Sequence, residues 1–198
     1  GVQARTFLAR ARDAAGNVGV GAGATLSFAA PVQGIAAIGP DGRCYVTNNG
    51  GYFSWLTDEA SGITIPGPGT GQHTGGSIQA VDLATGQVEV LYDSVEGERL
   101  IAPNDLVLDE HGTIWFTAHG AQGDLAGRPG LLAARPDGSS ITAQSRELEA
   151  ANGVGLSPTG ERVYVAETHH GCLVEWRGGG AGAAAAAGRP PAPPPRRG

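Results

Sequence analysis

The chain has 198 residues, a formal charge of -6 and a pI near 5.3, a balance that argues against nucleic-acid binding, which calls for a basic face. Hydrophobic content of 40% with 16% charged residues suits a packed core, and no apolar run reaches the length that a membrane span requires. All 13 basic residues are arginine, and with 34 glycines this points to a GC-rich coding sequence rather than to a physical need. The chain opens on Gly1 and contains no methionine, which predicts a piece of a longer protein or a processed form. Cys44 and Cys172 make neither a disulfide framework nor a zinc site. Beside predicted strands they read as small core residues, which leaves the compartment open with a lean to the cytoplasm.

In chain order, residues 1–30 offer only a loose hairpin, Phe7 to Ala11 with a turn near Gly16-Asn17. A clearer hairpin follows: strand Gly34 to Ile38, turn Pro40-Asp41-Gly42, strand Cys44 to Asn48. Ser54 to Gly76, rich in Gly, Pro, Thr and Ser, reads as a long surface loop. Ser77 to Asp82 then turns at Ala84-Thr85-Gly86 into Val88 to Tyr92. The first pattern returns as Asp105 to Leu108, Glu110-His111-Gly112 and Ile114 to Thr117, and the second as Leu131 to Arg135, Pro136-Asp137-Gly138 and Ile141 to Ala143. Arg146 to Ala151 reads as loop. The first pattern appears once more as Gly153 to Leu156, Pro158-Thr159-Gly160 and Val163 to Ala166, and Cys172 to Trp176 begins another outer hairpin. Each turn glycine supplies the positive φ that a tight hairpin needs.

Two kinds of hairpin thus alternate, and such a pair makes a four-stranded propeller blade. The spacing from Gly112 to Gly160 is 48 residues, a usual blade length, whereas Gly42 to Gly112 is 70, so that blade carries an insertion. A β-sandwich of unrelated hairpins is the competing architecture, and the repeated register favours the propeller. From Gly178 to Gly198 the chain is Gly, Ala, Pro and Arg. It offers too little apolar surface to offset its ordering entropy, its prolines disfavour a strand, and an out-of-frame or artificial end is expected there.

Pro103-Asn104-Asp105-Leu106-Val107-Leu108-Asp109 with Gly112 to Thr117, and Asn152-Gly153-Val154-Gly155-Leu156-Ser157-Pro158 with Val163 to Thr168, resemble two motifs of the senescence marker protein / gluconolactonase / luciferin-regenerating enzyme family. The resemblance covers roughly Pro31 to Trp176. It implies an all-β fold, a partial β-propeller with about three of six blades. Residues 1–30 would be a poorly matched outer hairpin, 31–177 the partial propeller and 178–198 a disordered low-complexity tail. It also implies a metal-dependent hydrolase of a lactone or similar ester, holding a divalent cation, calcium first, with zinc, magnesium or manganese as alternatives. Asn104 and Asn152 match the two motif asparagines that act as ligands, and amide carbonyls suit a hard cation. The first-blade Glu ligand is absent and the later Asp would lie beyond Trp176, so at most half the site is encoded.

Asp105 is the candidate catalytic residue, orienting Asn104 or a bound water, with capping of the strand turn as the alternative. Asn48, His119 and His169 follow strands at the same end and are candidate substrate contacts; for Asn48 a turn role competes, and for the histidines simple solvation. His73 lies in the inserted segment, which as a lid would cover the channel. Glu167 reads as structural, and the tryptophans as packing. There is no Gly-x-Ser-x-Gly elbow, phosphate loop or dinucleotide fingerprint. The competing functions are a non-catalytic interaction module, since fold does not fix function, and a piece without independent function. Neither nucleic acid nor membrane is expected as a partner. Two neutral ligands predict weak metal binding, and an open arc with two bare apolar faces predicts poor solubility and self-association.

Overall fold

In the computed structural model the described residues are 35–69, 73, 75–120 and 130–177, with the strand backbone at 3–7, 10–12, 18–20, 24–28 and 185–186. Every regular element among them is a β-strand. β1 (Gln3–Phe7) pairs with β4 (Ala24–Phe28), and between them β2 (Arg10–Arg12) pairs with β3 (Val18–Val20). Of the strand expected over Phe7 to Ala11, Phe7 closes β1 opposite Ala24 while Arg10 and Ala11 lie in β2, and the turn expected near Gly16-Asn17 lies outside the described residues.

Three four-stranded sheets follow. β5 (Ala36–Ile38) and β6 (Cys44–Asn48) precede an inserted hairpin of β7 (Phe53–Thr57) and β8 (Thr64–Gly69), after which β9 (Ser77–Val81) and β10 (Val88–Tyr92) complete a sheet of order β10-β9-β6-β5. A small hairpin of β11 (Ser94–Val95) and β12 (Glu98–Arg99) leads to the second sheet. That sheet is β13 (Pro103–Leu108), β14 (Ile114–Ala118), β15 (Leu131–Ala134) and β16 (Ile141–Ser145) in sequence order. The third runs β17 (Ala151–Leu156), β18 (Arg162–Glu167), β19 (Cys172–Arg177) and β20 (Ala185–Ala186). The edge strand β13 packs against β5 on one side and β17 on the other. The three blades therefore fan from a line of innermost strands, a partial β-propeller.

The turns form where the sequence places them. Gly42, Gly112 and Gly160 have φ of 79°, 76° and 72°, and the N–H of each donates to the carbonyl three residues before it, on Gly39, Asp109 and Ser157. The strands alternate as a sheet packed on both faces must. From β14, Ile114, Phe116 and Ala118 enter the core shared with the first blade, beside Tyr45, Ile78, Tyr92 and Leu106. Trp115 turns the other way, to Val163, Val165 and Trp176 of the third blade. Tyr92 ties the outer edges together: its hydroxyl lies 2.7 Å from Arg135 O and 2.8 Å from Ser140 O. Cys44 is buried and Cys172 half-buried, and they are not joined to each other, as small core residues would be.

Three features differ from expectation. The segment 54–76 holds a hairpin, not only loop. Aromatic and β-branched residues between its glycines and prolines form β7 and β8, and Asp58 N donates to Ile63 O across the turn. The arc was expected to bare two apolar faces, and on the side of the first blade away from the second this holds only in part: Cys44, Val46 and Val81 are buried, whereas Ile38, Val88 and Val90 on the same face are exposed. On the far face of the third blade Leu173 is 58% exposed. Third, Ala185 and Ala186 pair with Arg177 and Trp176 inside the segment read as tail; the alanines precede its run of prolines, so no ring bars the pairing. The rest of that segment lies outside the described residues.

Candidate functional site

The two motif asparagines occupy the same structural position twice. Pro103 pairs with Ala118 and Leu106 with Phe116, leaving one residue extra on β13; Ala151 pairs with Glu167 and Val154 with Val165, leaving the same excess on β17. Asn104 and Asn152 both lie within these bulges. A bulge breaks strict alternation and re-aims a side chain, here at corresponding ends of two adjacent innermost strands. Two residues before each asparagine stands a buried alanine with left-handed backbone, Ala102 at φ 50° and Ala150 at φ 54°. For a residue with a Cβ this conformation costs about 1–2 kcal/mol, so both approaches to the bulges are held under strain. The carbonyls of these alanines accept from His119 N at 3.0 Å and Thr168 N at 3.2 Å.

What holds the bulges is a pair of fully buried threonines. The Thr47 hydroxyl accepts from Ile35 N at 2.8 Å in its own blade and donates to Asn104 O at 2.7 Å in the next. Thr117 repeats the arrangement one blade on, accepting from Asp105 N at 3.2 Å and donating to Asn152 O. The first and second blades thus each grip the backbone carbonyl of the asparagine in the blade that follows. Asp105 adds a second bridge: Oδ1 accepts from Leu106 N and Oδ2 from Val154 N, each at 2.9 Å, the latter 49 residues along the chain. The sequence reading passed over the threonines, although Val46-Thr47 and Phe116-Thr117 recur at one register; a hydroxyl at an otherwise apolar, doubly packed position was the available signal.

The asparagine side chains keep binding capacity. Asn104 is half-buried and Asn152 exposed. The Asn152 amide nitrogen donates to Thr168 Oγ1 at 3.2 Å, which turns its carbonyl oxygen to other use. The remaining candidates divide. Asn48 Oδ1 accepts from Gly50 N at 2.9 Å, so its side chain caps a turn. His119, directly after β14, has 9% exposure and an Nδ1 without a hydrogen-bond partner. The Phe53 ring meets it edge-on with centroids 5.2 Å apart, and exposed His169 from the third blade lies at 6.2 Å. Phe53 was not singled out from the sequence because the contact joins segments far apart in the chain. His73 stacks edge-on against Tyr52 at 5.3 Å. Glu167 is buried and accepts from Glu149 N at 2.8 Å and from the Cys172 thiol at 3.3 Å, with His170 Nδ1 at 3.0 Å: a structural carboxylate, as expected.

Burial holds the His119 imidazole below its ordinary value of 6.5, the neighbouring Gly120 backbone opposing this and the charge of His169 adding to it. Below that value the unfolded chain takes up a proton that folded His119 resists, so this contribution to stability is complete above it and declines as the pH falls. His119→Gln is therefore expected to shrink the difference in urea midpoint between about pH 7.5 and about pH 5.5. An unchanged difference shows that the imidazole titrates as freely folded as unfolded.

Among the described residues no three His, Cys, Asp or Glu side chains converge as a metal site. The donor chemistry of Asn104 and Asn152 fits a hard cation, and their number does not complete a shell of six or more oxygens; Asp105, the carboxylate beside them, is engaged by backbone amides.

No curated protein matches the sequence. A gluconolactonase from Xanthomonas campestris shares the fold, with a TM-score of 0.55 and 24% identity over 75% of this chain and 45% of its own. A chain from a nidogen/laminin complex superposes with a TM-score of 0.50 and 15% identity over 89% of this chain and 57% of its own. The chain thus spans roughly half the length of either structure. Residues 12–188 match the SMP-30/Gluconolactonase/LRE-like region, a wider span than the two motifs alone carry, and the chain belongs to that family.

Proposed function

We propose that this chain contributes to the hydrolysis of an uncharged lactone or similar ester. The observation that carries the reading is the duplicated bulge: two asparagines at matching positions on adjacent innermost strands, each backed by strained alanine and gripped by a buried threonine. A fold that meets that cost twice at one end holds those amides for a purpose beyond packing. The two amides and the His119 imidazole, whose protonation burial disfavours, offer uncharged donors and acceptors, and the Asp105 carboxylate beside them is taken up by Leu106 N and Val154 N. Such groups suit the carbonyl and ring oxygens of a lactone better than a phosphate, whose charge they would leave unmatched.

Asn104 and Asn152 are also the residues that would hold a divalent cation, calcium before zinc, magnesium or manganese, as part of its oxygen shell. When bound, such an ion polarises a carbonyl oxygen. In this reading Asp105 works at one remove, fixing β17 through Val154 N and with it the aim of Asn152.

Turnover of a panel of lactones and esters, followed by pH-stat with and without added calcium, tests the reading. Asn104→Ala and Asn152→Ala are each expected to lower kcat/KM about 100-fold or more while folding normally, as loss of one preorganised polar group does. Unchanged turnover in both variants removes the asparagines from the site; ligand binding without turnover in the parent chain favours an interaction module instead.

A further inference from the structure

We propose that the inserted β7–β8 hairpin selects the ligand, its Phe53 and Trp55 forming a wall for an aryl or alkyl group whose carbonyl end lies at His119. This deepens the reading of the site as a lactone or ester site and rests on it.

The first blade does not need the hairpin. β6 and β9, which flank it, pair directly from Cys44 with Val81 to Asn48 with Ser77, so residues 53–69 are an addition to a complete sheet. Trp55, Leu56, Ile63 and Ile65 stand exposed rather than consumed in a core. Trp55 is 50% exposed, whereas Trp115 and Trp176 are buried. The bulge of this hairpin puts its extra residue on β8: Phe53 pairs with Gly69 and Trp55 with Pro66, two steps on β7 against three on β8. β7 itself stays regular, and Phe53 and Trp55 therefore share a face. Phe53 is the residue that meets His119. A row thus runs from His169 through His119 and Phe53 out to Trp55.

The two ends of that row are unsatisfied in opposite ways. Toward the inner end, the buried Nδ1 of His119 has no partner, a state that costs free energy until a ligand supplies one. At the other end an indole stands half in water, where apolar surface gains by being covered. One molecule with a polar head and an apolar tail satisfies both. Residues 52–69 contain Asp58 and Glu59 and no Arg or Lys, so the tail is uncharged rather than anionic, and an anionic lipid surface is disfavoured. Among lactones this singles out those with a hydrocarbon substituent over polyhydroxylated ones.

Trp55 also supplies the readout, because it is the tryptophan open to a quencher. The intact chain is titrated with γ-butyrolactone, which has no tail, and with γ-decalactone, while acrylamide quenching of tryptophan fluorescence and hydrolysis are both followed. γ-Decalactone is expected to protect Trp55 and to bind about tenfold more tightly than γ-butyrolactone, and Trp55→Ser is expected to abolish that preference. Equal hydrolysis of the two lactones with Trp55 still quenchable overturns the wall and leaves the lactonase reading standing. Protection of Trp55 without hydrolysis keeps the wall and removes the enzyme. Neither binding nor hydrolysis sinks both. If Trp55 is instead protected by raising the protein concentration alone, the face is an interface between copies and the proposal fails.

Discussion

Replacing Thr117 with valine is expected to destabilise the protein by about 2–4 kcal/mol, a large effect for an isosteric change. Valine keeps the branched shape and the strand preference, so packing between the second and third blades is retained and the loss reports the hydroxyl. Without it, Asn152 O and Asp105 N face a fully buried position with no partner, and each orphaned group carries its desolvation cost. Urea denaturation measures the loss. A fall in midpoint with an unchanged m-value marks a stability effect and not a change in the unfolded chain. Thr47→Val should behave alike through Ile35 N and Asn104 O. Thr117→Val combined with Asp105→Ala should be non-additive, because both side chains tie β13 to the same stretch of β17. A loss below about 0.5 kcal/mol for Thr117→Val would mean that the bulge relaxes onto other partners, and the claim that threonines aim the asparagines would go with it.

Gly76→Ala is expected to be at least as damaging, at about 3 kcal/mol or more, for a steric reason. A Cβ there would lie 2.0 Å from Pro103 Cδ and 2.9 Å from Asn48 O. Neither neighbour yields easily: one is a closed ring at the start of β13, the other is backbone at the end of β6. Gly76 N also donates to Leu100 O at 2.7 Å, which pins the position from the other side. Gly42→Ala is the control. No atom lies within 4 Å of a Cβ at Gly42, but φ is 79°, so that variant pays only for the left-handed backbone, about 1–2 kcal/mol. Thermal or urea unfolding of the pair separates the causes. If Gly42→Ala proves the worse of the two, Pro103 moves freely, and the seam between the first two blades is looser than its contacts imply. Because Pro103 adjoins Asn104, Gly76→Ala should also depress any turnover that depends on that asparagine.

The sequence by itself determined the features that rest on one residue or its near neighbours. A turn glycine is legible because only a residue without a Cβ enters the left-handed region cheaply, and Gly42, Gly112 and Gly160 do so as their turns require. The alternation of β14 is legible because the pleat sends successive side chains to opposite faces, and the matched asparagines stand out because their motifs repeat. The tertiary structure alone decided what depends on pairing across blades. A bulge adds one residue to one strand and leaves the composition of that strand unchanged, so the seats of Asn104 and Asn152 appear only in the registers with β14 and β18. Nothing local distinguishes a core threonine from one that grips the next blade, and nothing in Asp105 tells that its oxygen will meet Val154 N. The hairpin of β7 and β8 was hidden by the glycines and prolines scattered among its strand formers, and its contact with His119 exists only because the insertion folds back over the second blade. Conformational preference is a property of each residue and is written in its identity. Partnership between distant residues is a property of how the blades stack, and is settled only when their faces meet.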